Sequence, residues 1–227
     1  MSPLIEQILQ QKSVSFVGME KNTGKTECLN YVLRELYKTD KKIAVTSIGI
    51  DGERVDQVTE THKPEIELAK GTIFVTSEKH YKERRPTSNI LNVSTHGSTL
   101  GRLVTAQALQ RGKAIISGPS STGKLKQLLS EMDTYDVDIT LVDGALSRKS
   151  FGAPTVTESL ILSTGAALSP HLPELIRNSQ HHPQRNEDSR FRPQQPPADA
   201  GPRLHREHQL ELLPHRPRRI GKDHLSQ

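Results

Sequence analysis

Residues 14–33, VSFVGMEKNTGKTECLNYVL, constrain this chain more than any other stretch. A short β-branched and aromatic run, Val14 to Val17, ends in Gly18, and five residues then turn before Gly24-Lys25-Thr26. Behind them Leu29, Val32, Leu33 and Leu36 share one helical face, which predicts a helix from about Thr26 to Lys38. A strand, a glycine loop and a helix in direct succession are what a polyphosphate needs. It has to be met by several backbone N–H groups at once and by the positive end of a helix dipole. Gly24 removes the Cβ that would block that approach, Lys25 reaches the terminal phosphates as a cation, and the Thr26 hydroxyl completes the coordination of Mg²⁺. The spacing is one residue longer than GxxxxGK[ST], which would put the first glycine at Met19.

The rest of residues 1–169 reads as further alternation. Strands are predicted at Ile43 to Ile50, Gly71 to Ser77, residues 89–94 (NILNVS), 113–118 (KAIISG) and 137–144 (VDITLVDG). Helices are predicted at about Pro64 to Lys70, at Thr99 to Arg111 with Ser98 as cap, and over KLKQLLSEM. Strands separated by helices indicate βαβ units, so the expected fold is a three-layer α/β domain around a mainly parallel sheet.

From Pro170 the character changes. Residues 170–227 hold nine of the fourteen Pro and seven of the ten His, with no Val, Thr, Tyr or Met. Such a stretch has little apolar surface to offset its ordering entropy, so it is expected to be a disordered tail. Its scattered Arg, His, Pro and Gln also read as a gene translated out of frame. Charge is nearly balanced before Pro170, 21 Lys and Arg against 19 Asp and Glu, so the net +5 makes no case for a nucleic-acid partner. No apolar run approaches the roughly 20 residues that span a bilayer, and residues 1–12 lack a signal-peptide pattern. With a single Cys there is no internal disulfide, and a cytoplasmic protein is expected.

The carboxylate that holds a magnesium shell should close a neighbouring apolar strand, and Asp143, ending DITLVD before Gly144, does so. Asp51, after VTSIGI, is the second candidate; it orients a water or touches magnesium, or simply makes a turn with Gly52. The expected catalytic set is therefore Lys25, Asp143 and Asp51, with Thr26 and Asp143 toward the metal. Gly18, Lys21, Asn22, Thr23, Gly24, Lys25 and Thr26 form the nucleotide loop. Lys21 is either a second cation facing phosphate or a solvated lysine. A second glycine loop, Gly118 to Lys124, has the right spacing, but Leu125 cannot ligate a metal. It reads as a strand-to-helix turn with a capping Ser, at the same edge of the sheet. Cys28 reads as a small buried hydrophobe, His62, His80 and His96 have no metal-ligand spacing, and Lys79, Lys82, Arg84 and Arg85 make a basic loop cluster. No NKxD element reads guanine, which leaves ATP ahead of GTP only by default.

Gly18 with five residues before Gly24-Lys25-Thr26 resembles the longer loop of dethiobiotin synthetase and cobyric acid synthase. GMEKNTGKT is also similar to the loop of the molybdopterin-guanine-dinucleotide accessory proteins. In those families the first glycine sits one place earlier and the loop still binds nucleotide. Over residues 13–169 the chain resembles P-loop proteins encoded beside B12-dependent amino-acid mutases, of the lysine 5,6-aminomutase reactivase kind. That resemblance implies a chaperone-like use of nucleotide on a cobalamin-dependent aminomutase, with a second reactivase subunit. The competing expectations are a biosynthetic ligase or kinase of the dethiobiotin-synthetase kind and an inactive, frame-shifted product. Members of that family continue as folded protein where this chain turns to Pro, His and Arg, so residues 1–169 are expected to be an incomplete domain.

Overall fold

The computed structural model describes residues 2–20, 22–48, 65–83, 87–98, 101–144, 156–180 and 210–214. In chain order the elements are α1 (Pro3–Ile8), β1 (Ser13–Gly18), α2 (Lys25–Leu36), β2 (Ile43–Ile48), β3 (Ile66–Leu68), β4 (Ile73–Ser77), α3 (Glu78–Glu83), β5 (Ser88–Ser98), β6 (Gly101–Ala108), β7 (Gly112–Ala114), α4 (Thr122–Asp133), β8 (Ile139–Gly144), β9 (Ser159–Ser163), α5 (Leu172–Gln180) and β10 (Leu210–Pro214). The main sheet runs β10-β9-β1-β8-β2-β4-β6-β5, and β3 with β7 forms a separate two-stranded ribbon. From β9 to β4 all pairs are parallel, whereas β10 and the β5–β6 hairpin add antiparallel margins. The fold is α/β around a mainly parallel sheet, as expected.

Burial on both faces explains why the central strands read as continuous apolar runs: every residue of β2, β4 and β9 is buried. Alternate side chains go to opposite cores. Val14, Phe16, Val45, Phe74 and Leu141 meet Leu29, Val32, Leu33 and Leu36 of α2 and Ile5 and Ile8 of α1. Ala44, Ile73, Val75 and Val142 meet Leu125, Leu128 and Met132 of α4 on the other side. The short α1 carries no strong sequence signal beyond Pro3 in its first turn, yet Ile5 and Ile8 are fully enclosed.

Several expectations are corrected. The helix predicted at Thr99 to Arg111 is strand β6 over Gly101–Ala108, paired on one side with β4 and on the other with β5. The helix predicted near Pro64 to Lys70 is replaced by β3, whose Ile66 and Leu68 are buried while Glu67 between them is half-buried. Tertiary pairing outweighs a helical reading of these short mixed runs. The strand predicted at 113–118 is confined to β7, and β5 is longer than the predicted 89–94. Within residues 170–227 the described residues are 170–180 and 210–214, which hold α5, with Leu172 and Ile176 exposed, and β10, which pairs antiparallel with β9. Residues 181–209 and 215–227 lie outside the described residues. Among the described residues no helix is long and apolar enough to cross a membrane.

Candidate functional site

The chain leaves β1 toward α2 and β2 on one side, while β9 lies on β1's other side and β8 sits between β1 and β2. Connections diverging from a central strand open a crevice at the carboxyl ends of the strands, where α/β sheets collect ligands. The register sets what meets there: Phe16 is opposite Asp143, Val17 opposite Gly144 and Gly18 opposite Ser163.

Gly18 closes β1 where the loop folds back over it. A Cβ at Gly18 would fall 2.7 Å from Thr23 Oγ1 and 3.2 Å from the Glu20 carbonyl oxygen. Thr23, only 3% exposed, donates from Oγ1 to the Glu20 carbonyl over 2.9 Å and so braces the turn from within. Asn22 and Gly24 adopt φ of 63° and 84°, the left-handed region that Gly enters freely and Asn tolerates. Met19 N–H donates to the Ser163 carbonyl over 3.0 Å, anchoring the loop to β9. Gly24 is the residue before α2, and its carbonyl accepts the Cys28 N–H over 2.9 Å. The loop is therefore held at both ends and in the middle, with the first turn of α2 at its mouth.

Lys25, the first residue of α2, extends across to β8. Its Nζ lies 2.6 Å from Asp143 Oδ1 and donates to the Gly144 carbonyl over 3.1 Å. The side chains of Lys25 and Asp143 are 23% and 19% exposed, so the pair is well sheltered without being closed off. Asp143 Oδ1 is itself buried and makes no directed hydrogen bond, so its contact with Lys25 is one of charge. Thr26 follows, half-buried, in the same helical turn. This donor set fits a magnesium nucleotide: a sheltered carboxylate oxygen lacking a directed hydrogen bond, a nearby hydroxyl and an ammonium. Among the described residues no cluster of three or more His, Cys, Asp or Glu could hold a metal ion.

Of the residues singled out from sequence, Gly18, Asn22, Thr23, Gly24, Lys25, Thr26 and Asp143 are brought together. Lys21, Asp51, His62, Arg84 and Arg85 lie outside the described residues. Lys82 pairs with Glu78 over 2.8 Å, and with Arg102 it holds the Glu78 carboxyl down at about 2. Cys28 is buried beneath the loop, and burial pushes its thiol up to about 12. It is thus a packed hydrophobe, as read from the sequence. The second glycine loop reaches the same edge, where Ser121 caps α4 by accepting the Lys124 N–H over 3.3 Å. Sequence reasoning missed the Ser163 and Gly144 carbonyls, since backbone acceptors supplied by distant strands leave no local signal. It also missed the bond between His80 and Ser117, over 3.1 Å.

The fold and site define a mainly parallel α/β protein with a glycine loop and a lysine–carboxylate pair at the carboxyl edge of its sheet. No family model, curated protein or solved structure matches the chain.

Proposed function

We propose that this chain is a P-loop NTPase that binds ATP or GTP with Mg²⁺ at the loop from Gly18 to Thr26. The observation that carries the reading is the Lys25–Asp143 pair, 2.6 Å apart, formed between the first turn of α2 and the end of the strand adjacent to β1. A lysine at a loop's mouth facing a sheltered carboxylate suits a site that takes an anion and its counter-ion. On binding, Lys25 would turn from Asp143 to the terminal phosphates, loop N–H groups would meet phosphate oxygens, and Thr26 and Asp143 would face the metal. Bound with the triphosphate, Mg²⁺ would neutralise charge on the β- and γ-phosphate oxygens. The resemblance over residues 13–169 gives this activity its use. The chain serves as an accessory factor whose nucleotide state drives a conformational step that reactivates a cobalamin-dependent aminomutase, together with a second subunit.

The test is nucleotide binding by calorimetry and phosphate release, each with and without an aminomutase. Lys25→Ala is expected to abolish binding and Lys124→Ala to leave it intact. The reverse pattern would assign the chemistry to the second loop. Phosphate release that requires a small carboxylic acid, and ignores the mutase, would favour a biosynthetic ligase or kinase.

A further inference from the structure

The second glycine-lysine motif is not used by that reading, but its first residues are built into the sheet. β2 and β4 pair only at Ala44 with Ile73 and at Val45 with Phe74. Beyond that point residues 115–118 are tied to both strands. Ser117 N–H donates to the Val75 carbonyl over 3.0 Å, Thr76 Oγ1 donates to the Ile115 carbonyl over 2.6 Å, and Thr46 Oγ1 approaches the Ser117 carbonyl at 3.5 Å. From α3, His80 Nδ1 lies 3.1 Å from Ser117 Oγ, a hydrogen bond to a residue only 6% exposed. Gly118 then lies flat against β2. A Cβ on it would fall 1.3 Å from the Ser47 carbonyl oxygen and 2.3 Å from the carbonyl carbon. No flexible side chain is available to yield there, because both atoms are backbone. Ser47 in turn is the register partner of Asp143.

We propose that Gly118 and His80 are positioning residues for Asp143. They seat residues 115–118 as a wedge between β2 and β4, the wedge holds the end of β2 against β8, and β8 thereby presents the Asp143 carboxylate to Lys25. The motif's glycine serves backbone packing rather than phosphate, and Lys124 has no part in the device. The consequence for magnesium nucleotide rests on the function proposed above, whereas the consequence for the Lys25–Asp143 contact does not.

The primary test therefore needs no nucleotide. The full chain is acylated at lysine with N-hydroxysuccinimide acetate, and the rate at Lys25 is followed by mass spectrometry. An ammonium in contact with a carboxylate and a carbonyl is shielded from the reagent. Gly118→Ala and His80→Ala should each raise the Lys25 rate by about threefold or more, the size expected of coupled neighbours. His80→Asn, which keeps a polar atom within reach of Ser117 Oγ, should restore the parental rate, and Lys124→Ala should leave it unchanged. In parallel, the ratio of ATP affinity with magnesium to that in EDTA should fall roughly tenfold in Gly118→Ala, as when groups supporting a metal ligand are removed. Parental labelling of Lys25 in both Gly118→Ala and His80→Ala would overturn the proposal. So would faster labelling in His80→Asn equal to that of His80→Ala. If Gly118→Ala fails to fold, the two His80 variants decide. If the parent binds no nucleotide, the functional reading fails and the labelling still judges the wedge.

Discussion

Removing the Lys25 ammonium should cost stability even without nucleotide, because it strands a sheltered carboxylate. Lys25→Met keeps most of the aliphatic stem that packs at the start of α2 and deletes only the charge. Exposed ion pairs contribute about 0.2–1 kcal/mol, and breaking a fully buried pair costs about 3–5 kcal/mol. With side chains 23% and 19% exposed, this pair lies between those limits. We expect a loss of about 2 kcal/mol, discounted from the buried figure for solvent screening. At a urea dependence of about 3 kcal/mol per molar, the unfolding midpoint would fall by about 0.7 M. Asp143→Asn should cost less, about 1 kcal/mol, because the long flexible Lys25 stem can carry its stranded ammonium toward water, whereas a stranded Asp143 carboxylate on β8 cannot move. In the double variant the two losses should fall short of additivity by about 1 kcal/mol. The assay is urea denaturation followed by circular dichroism in low salt, with all four proteins measured together. A midpoint for Lys25→Met within about 0.1 M of the parent, or losses that add within about 0.3 kcal/mol, would refute the reasoning.

Asp143→Asn is further expected to hold ATP affinity within roughly an order of magnitude while losing most phosphate release, because the change removes metal-shell charge and preserves shape. Thr26→Ala should weaken chiefly the magnesium-dependent part of binding, read as the ratio of affinities with magnesium and with EDTA. Cys28, its thiol pushed up to about 12 by burial, stays protonated at neutral pH. Its reaction with a thiol-disulfide reagent should be about a thousandfold slower than that of the urea-unfolded chain, and comparable rates in the two states would show that it is not buried. Glu78, held at about 2 by Lys82 and Arg102, lies below the ordinary 4.5. Its contribution to holding α3 on β6 is thus present above pH 4.5 and fades as pH falls from there through about 2. Carbon-13 titration of Glu78 should show the low midpoint, and Arg102→Ala should raise it.

Local physical chemistry made much of the site legible in advance. Gly18, Gly24 and Thr26 take their places from the demands of a tight turn and a helix start, and the apolar stripe of α2 follows from helical periodicity. The apolar run before Asp143 likewise announced a strand buried on both faces. These features depend on neighbours within a few residues, so one segment carries enough information to specify them. The hairpin strand β6 was not legible in that way, because GRLVTAQA has turn and periodicity signals compatible with a helix. Its state is decided by hydrogen bonds to β4 and β5. The same holds for β3, a three-residue strand that exists through pairing with β7, and for β10, whose backbone lies against β9.

What the sequence by itself determined is the place of the loop between a strand and a helix and the chemical identity of the groups around it: an ammonium, a hydroxyl, a carboxylate and glycines where backbone must come close. What only the tertiary structure decided is their meeting. Asp143 faces Lys25 because β8 is inserted between β1 and β2, and Gly118 reaches Ser47 because β2 and β4 part early. Strand order is a property of the packed sheet, in which segments far apart in the chain exchange backbone hydrogen bonds, and no local pattern of side chains encodes which strand will be the neighbour.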